Sequence, residues 1–137
     1  MTSIGASAFY GCGSLAGLLE IPASVTSIGS SAFRGCKNLR EARIYGTWGT
    51  AGGYLFYGCS SLTNAVVDGP VTYIPSYSFR ETGIRSFVVP EGVTSINSYA
   101  FYKCSQMETV TLPEGLETIG SDAFEYTALS KIVTIPS

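Results

Sequence analysis

The sequence predicts a repeat solenoid, mostly β with short helical or 3-10 turns, made of about six coils of 22–24 residues over residues 1–137. Three observations predict it. Phe recurs at Phe9, Phe33, Phe56, Phe79, Phe101 and Phe124, at intervals of 24, 23, 23, 22 and 23 residues. Five residues before each Phe stands a small or branched apolar residue: Ile4, Ile28, Ala51, Ile74, Ile96, Ile119. Three residues after it comes Cys12, Cys36, Cys59 or Cys104, with Thr82 and Thr127 in the same slot of the other two coils. One register held through the whole chain is the mark of stacked coils, none of which can bury its apolar edge alone.

The unit reads I-G-x-x-A-F-x-x-C-x-x-L-x-x-I-x-I-P-x-x-V-T-x. Its L-x-x-I-x-I segment alternates apolar and polar residues at its end, as in Met107-Glu-Thr-Val110-Thr-Leu112, and this predicts a strand. Pro22, Pro90 and Pro113 close that strand, because proline has no N–H to give the next coil. V-T-x-I, as in Val93-Thr-Ser-Ile96, alternates again and predicts a second, shorter strand. The S-x-x-A-F-x-x-C stretch has apolar residues at i, i+1 and i+4 after a serine, which predicts one helical or 3-10 turn on the outer side. Stacked at roughly 4.8 Å per strand, the coils make an array about 25–30 Å long.

At this point the unit resembles the leucine-rich repeat of the BspA-like, or Treponema-type, class, and the resemblance covers residues 2–137. It implies a leucine-rich-repeat array that works by binding. Proteins of this class are typically bacterial or protozoan surface proteins, and several are adhesins. The resemblance therefore implies a cell-surface or secreted location and a protein partner, either host matrix or another surface protein. The rival is a structural spacer within a longer surface protein, with the ligand site elsewhere.

Composition narrows the chemistry. Charged residues make up 13% of the chain against about 25% in an average domain, and the net charge is -2. No basic balance invites nucleic acid or anionic lipid. No apolar run approaches the roughly 18 residues of a membrane span. The start has no basic region ahead of an apolar stretch, so no signal peptide is visible. There is no histidine, so Ser-His-Asp, Cys-His and His-ligated zinc sites cannot be built. The cysteines fall one or two repeats apart rather than in C-x-x-C pairs, which predicts reduced structural cysteine and no metal. Glu114, Glu117 and Asp122 sit on turns, where a solvated acidic edge is expected rather than a catalytic carboxylate pair. We expect no enzyme activity, no cofactor and no metal. No N-x-[ST] sequon occurs.

The chain opens and closes in mid-coil without polar capping repeats, which predicts a single array cut from a longer one and possible end-to-end self-association. The alternative is a complete small protein whose ends meet a partner.

The candidate binding residues come from two places. The second unit replaces P-x-x-V-T-x-I by Tyr45-Gly-Thr-Trp48-Gly-Thr-Ala51-Gly-Gly-Tyr54, with four glycines, two tyrosines and the only Trp. Aromatic side chains bring contact area at low entropy cost. Trp48 has two readings: an exposed anchor, or a core residue, since it falls in the inward slot of Val25, Val71 and Val93. The second place is the strand face turned away from the core. One column there runs Glu20, Arg43, Val66, Val88, Thr111, Thr134, and its neighbour runs Glu41, Asn64, Ser86, Thr109. Arg40, Glu41 and Arg43 are the densest charge in the chain. Glu20, Glu41 and Arg43 read equally well as cross-strand ion pairs of a few tenths of a kcal/mol. Tyr10, Tyr57, Tyr102 and Tyr126 follow the repeated Phe and ride the outer side, either as half-buried packing or as an aromatic patch for a partner.

Overall fold

The computed structural model describes residues 2–49 and 53–129, and the backbone of 131–134. The second short strand expected near Ala51 and the closing Ile135-Pro136-Ser137 lie outside these residues.

Each coil contributes one long strand, and five short strands lie among the described residues. The long ones are β2 (Gly17–Ile21), β4 (Leu39–Ile44), β5 (Asn64–Val67), β7 (Ser86–Val88), β9 (Thr109–Leu112) and β11 (Lys131–Thr134). The short ones are β1 (Ser3–Ile4), β3 (Ser27–Ile28), β6 (Tyr73–Ile74), β8 (Ser95–Ile96) and β10 (Thr118–Ile119). All pairs are parallel, as a solenoid requires. The long strands form two sheets, β2-β4-β5 and β7-β9-β11, and no ladder joins β5 to β7. The short strands form β1-β3 and β6-β8-β10.

The repeated Phe residues build a continuous spine. Successive ring centroids from Phe9 to Phe124 lie 5.3 to 5.5 Å apart and the rings stay nearly parallel. Coil spacing of about 4.8 Å with centroids slightly further apart gives offset stacking, which the ring quadrupoles favour. Around the spine lie buried columns at the positions the repeat marks: Leu39-Leu62-Ile84-Met107, Ile21-Ile44-Val67-Val89, and Val25-Trp48-Val71-Val93.

The expected helical turns are instead runs of β-turns; no helix occurs among the described residues. Two positions in every coil carry positive φ. Two residues before the Phe they are Ser7, Ser31, Tyr54, Tyr77, Tyr99 and Asp122, with φ from 55 to 65°. Two residues after it they are Gly11, Gly35, Gly58, Glu81, Lys103 and Tyr126, with φ from 60 to 77°. A left-handed residue breaks a helix. Here the break lets alternate N–H groups reach the next coil. Ser7, Phe9 and Gly11 donate to Ser30, Ala32 and Arg34 oxygens at 2.9, 2.8 and 2.7 Å, while Ala8, Tyr10 and Cys12 bond within their own coil. A helix would spend all of these donors internally. The turns thus extend the intercoil ladder around the back of each coil.

The Cys slot joins this network. Cys36, Cys59 and Cys104 donate their thiols to the carbonyls of Phe9, Phe33 and Phe79 in the preceding coil, at 3.1, 3.0 and 2.8 Å. Thr82 and Thr127 donate instead to Phe79 and Phe124 of their own coil, each at 2.9 Å. Both Thr coils are one residue shorter before the strand, with Ile84 and Leu129 only two residues on. That shortening corrects one expected column. Val133, not Thr134, pairs with Thr111, and Thr134 pairs with Leu112.

Candidate functional site

The strands that place side chains on the outer face are held by their inward partners. In β4, Leu39, Ala42 and Ile44 are buried, so Glu41 and Arg43 turn outward and Tyr45 continues the row beyond the strand. Parallel registry sets Glu20 beside Arg43 and Arg43 beside Val66, and sets Leu18 beside Glu41 and Glu41 beside Asn64. Six of the expected residues therefore share one face: Glu20, Glu41, Arg43, Tyr45, Asn64 and Val66. Arg40 is exposed at the start of the same strand, where the register shifts between Gly17 and Leu18.

The charge on this face is ordered along the strand rather than across it. Arg43 donates to Glu41 at 2.7 Å, and among the described residues Glu20 forms no ion pair. Hydrogen bonding to Glu41, with Tyr45 adding a smaller contribution, raises the Arg43 pKa and holds its charge firmly. Both partners are solvated, so the pair itself is worth under about 1 kcal/mol. It orients the guanidinium toward the Glu41 carboxylate, with Tyr45 next along the row. Beyond it the face turns apolar: Val66 is 44% and Val88 61% exposed, on either side of the β5–β7 gap. A shallow groove follows that gap, lined by Asn64, Val66, Asp68, Ser86, Val88 and Glu91. Its C-terminal continuation carries Thr109 and Thr111, as expected.

Two expected residues leave this site. Trp48 is fully buried, so the core reading holds and the exposed-anchor reading is corrected. Its indole N–H donates to the Tyr73 carbonyl at 3.0 Å, and the Tyr73 hydroxyl donates back to the Gly49 carbonyl at 2.8 Å. The glycine before it serves the close approach of the coils: a Cβ on Gly46 would run into the Pro22 and Val25 carbonyls. Tyr54 stands on the turn face instead, stacked on Tyr77 at 4.6 Å, and Tyr77 stacks on Tyr99 at 4.9 Å.

The turn face holds a feature that sequence reasoning took only in part. The residue after each repeated Phe runs Tyr10, Arg34, Tyr57, Arg80, Tyr102, Glu125. Arg34 lies 5.7 Å from the Tyr10 ring centroid and 4.5 Å from that of Tyr57. Arg80 lies 5.0 Å from Tyr57 and 4.6 Å from Tyr102. The tyrosines were noted from the sequence. The arginines share their column, and reading the column rather than the residue type would have found the ladder.

The four cysteines are unbridged. Burial pushes the Cys59 thiol up to about 12 and that of Cys104 to about 11, and raises Cys36 as well. Cys12 differs: a hydrogen bond with Ser14 at 3.3 Å lowers its pKa. A thiol reagent at pH 8 is expected to modify one site rapidly in the folded chain, and Cys12→Ser to remove that phase. The other three should react only on unfolding; rapid reaction of two or more thiols in the native state would contradict the packing. No group of three or more potential metal ligands occurs among the described residues.

A family model described as the BspA type leucine rich repeat region matches residues 2–130 in six copies. Among solved structures, a leucine rich cell surface protein from Faecalibacterium prausnitzii A2-165 superposes with a TM-score of 0.77 at 28% identity, over 88% of this chain and 32% of that one. A leucine-rich repeat protein from Bacteroides ovatus gives 0.80 at 30% identity, over 92% and 32%. The T. pallidum leucine rich repeat protein gives 0.82 at 29% identity, over 100% and 64%. This chain thus spans about a third of the first two proteins and just under two thirds of the third. No curated protein matches it.

Proposed function

We propose that this chain, which belongs to the BspA-type leucine-rich repeat family, is a protein-binding module of a cell-surface protein, with attachment as its role. The observation that carries this reading is the row Glu41, Arg43, Tyr45 beside exposed Val66 and Val88 on one face of the long strands. A fixed charge next to a phenol and an apolar strip is the mix that partner surfaces use: an Arg and an aromatic as anchors, with polar groups around them. The surface location is supported by the printed description of the F. prausnitzii protein as a cell surface protein. In the spacer reading, the same face is solvated and binds nothing.

The test is a binding screen of this chain against immobilised host matrix proteins, with Arg43→Glu in parallel. Arg43 is exposed, so reversal of its charge leaves the core intact. Binding in the low micromolar range, weakened about tenfold or more by the variant, is the expected result. Absence of binding to every protein of the panel would favour the spacer.

A further inference from the structure

We propose that the turn face of the first three coils is a second binding site, separate from the long-strand face, for a sulfated polysaccharide. Its residues are Tyr10, Arg34, Lys37 and Tyr57, over a floor of Gly35 and Gly58.

Charge points to an anion. The turn segments of these coils contain two charged residues, Arg34 and Lys37, and no acid. Neither forms an ion pair among the described residues. The one carboxylate at the groove, Glu81, comes from the fourth coil and accepts from Arg80 at 2.9 Å. The net charge of -2 conceals this local excess of positive charge. The Arg34 guanidinium is also held in place, with the Tyr10, Tyr54 and Tyr57 rings at 5.7, 5.3 and 4.5 Å. A guanidinium fixed by aromatic rings loses little entropy on binding and keeps its N–H edge for a planar or tetrahedral anion.

The surroundings point to a sugar chain rather than an acidic peptide. A peptide that docks by strand addition needs open backbone, and this backbone is committed. Gly11, Gly35 and Gly58 donate to the next coil at 2.7, 2.8 and 2.9 Å, while Tyr10, Arg34 and Cys36 donate within their own. Among the described residues that line the groove there is no aliphatic side chain to receive an apolar anchor. Instead the groove has small flat floor residues and an exposed ring, Tyr10, at 57% exposure. A pyranose ring lies against such a ring, and its sulfates reach the two cations. Arg80, two coils beyond Arg34, continues the same row at roughly 10 Å spacing. A linear polysaccharide that carries sulfate on every disaccharide presents anions to both ends of that spacing.

Immobilised heparin is the probe, in about 0.1 M salt, with neutral dextran, hyaluronate and polyglutamate as the other arms. The expected result is binding to heparin, weakened at least tenfold by Arg34→Gln/Lys37→Gln, with a shallower dependence on salt. Neutral dextran should not bind, and hyaluronate, which lacks sulfate, should bind more weakly. Lys37→Gln alone and Tyr10→Ser, both at exposed positions, should each weaken binding while leaving the melting temperature unchanged. No heparin binding, binding untouched by the double variant, or polyglutamate bound as tightly as heparin would each overturn the proposal. Arg43→Glu lies on the other face and should leave heparin binding unchanged.

Discussion

Trp48→Ala is expected to lower the free energy of unfolding by about 3–5 kcal/mol, the range for deleting a buried aromatic side chain. Trp48 is the largest fully buried side chain among the described residues, in one column with Val25, Val71 and Val93. Two losses combine. The cavity cannot collapse, because Val25 and Val71 above and below are themselves buried and held by their coils. The Tyr73 carbonyl also loses the indole N–H that reaches it at 3.0 Å. Trp48→Phe separates the two: it keeps most of the apolar volume but not the donor, and should cost about 1–3 kcal/mol, the penalty for an unsatisfied buried acceptor. Urea unfolding followed by circular dichroism measures both. A Trp48→Ala protein within 1 kcal/mol of the parent would mean the indole is not in the core, and would restore it as a candidate anchor for a partner.

Trp48 also shows what the sequence could and could not settle. The repeat placed it in an inward slot, and that placement held. Its composition argued the other way, since glycines and tyrosines around a Trp look like a recognition loop. Slot outranked composition because intercoil hydrogen bonds fix which side chains point inward, and Gly46 and Gly49 let the backbone lie close against the preceding coil. The Phe spine, the long strands and the six residues gathered on their outer face were legible for the same reason: one period repeated through the chain. Thr134 was misplaced where the period slips. Thr127 to Leu129 is one residue shorter than Cys36 to Leu39, and a one-residue change in the coil shifts every later position. The turns were misread as helical because the apolar spacing of A-F-x-x-C suits either geometry. The left-handed residues that decide between them are Ser, Tyr, Asp, Glu and Lys more often than Gly, so no residue type announces them.

The second large effect is a loss of stability in mild alkali. An unfolded thiol ionises near its ordinary value of 9.0, whereas burial holds Cys59 protonated to about 12 and Cys104 to about 11. Between those limits the folded state binds more protons than the unfolded one, so stability falls as pH rises. The contribution is fully present below about pH 9 and is lost as pH climbs through 11 to 12. By pH 10 the two thiols together should cost about 3 kcal/mol at 1.36 kcal/mol per pH unit each, against a typical total of about 5–15 kcal/mol. The physical root is the slot itself. Each sulfur donates to a Phe carbonyl of the preceding coil, and a thiolate there would face that oxygen with nothing to donate. Thr82 and Thr127 show that the slot accepts a group that does not ionise. The double variant Cys59→Thr/Cys104→Thr should therefore lose less melting temperature than the parent between pH 8 and 10, the remaining fall coming from Cys36, whose thiol burial also raises. Tyr57 and Tyr73, also raised chiefly by burial, act in the same direction at higher pH and remain in the variant, so the two curves should run parallel again only above about pH 12. A parent protein whose melting temperature is unchanged through pH 10, or a variant that falls alongside it, would show that the buried thiols do not govern the alkaline limit.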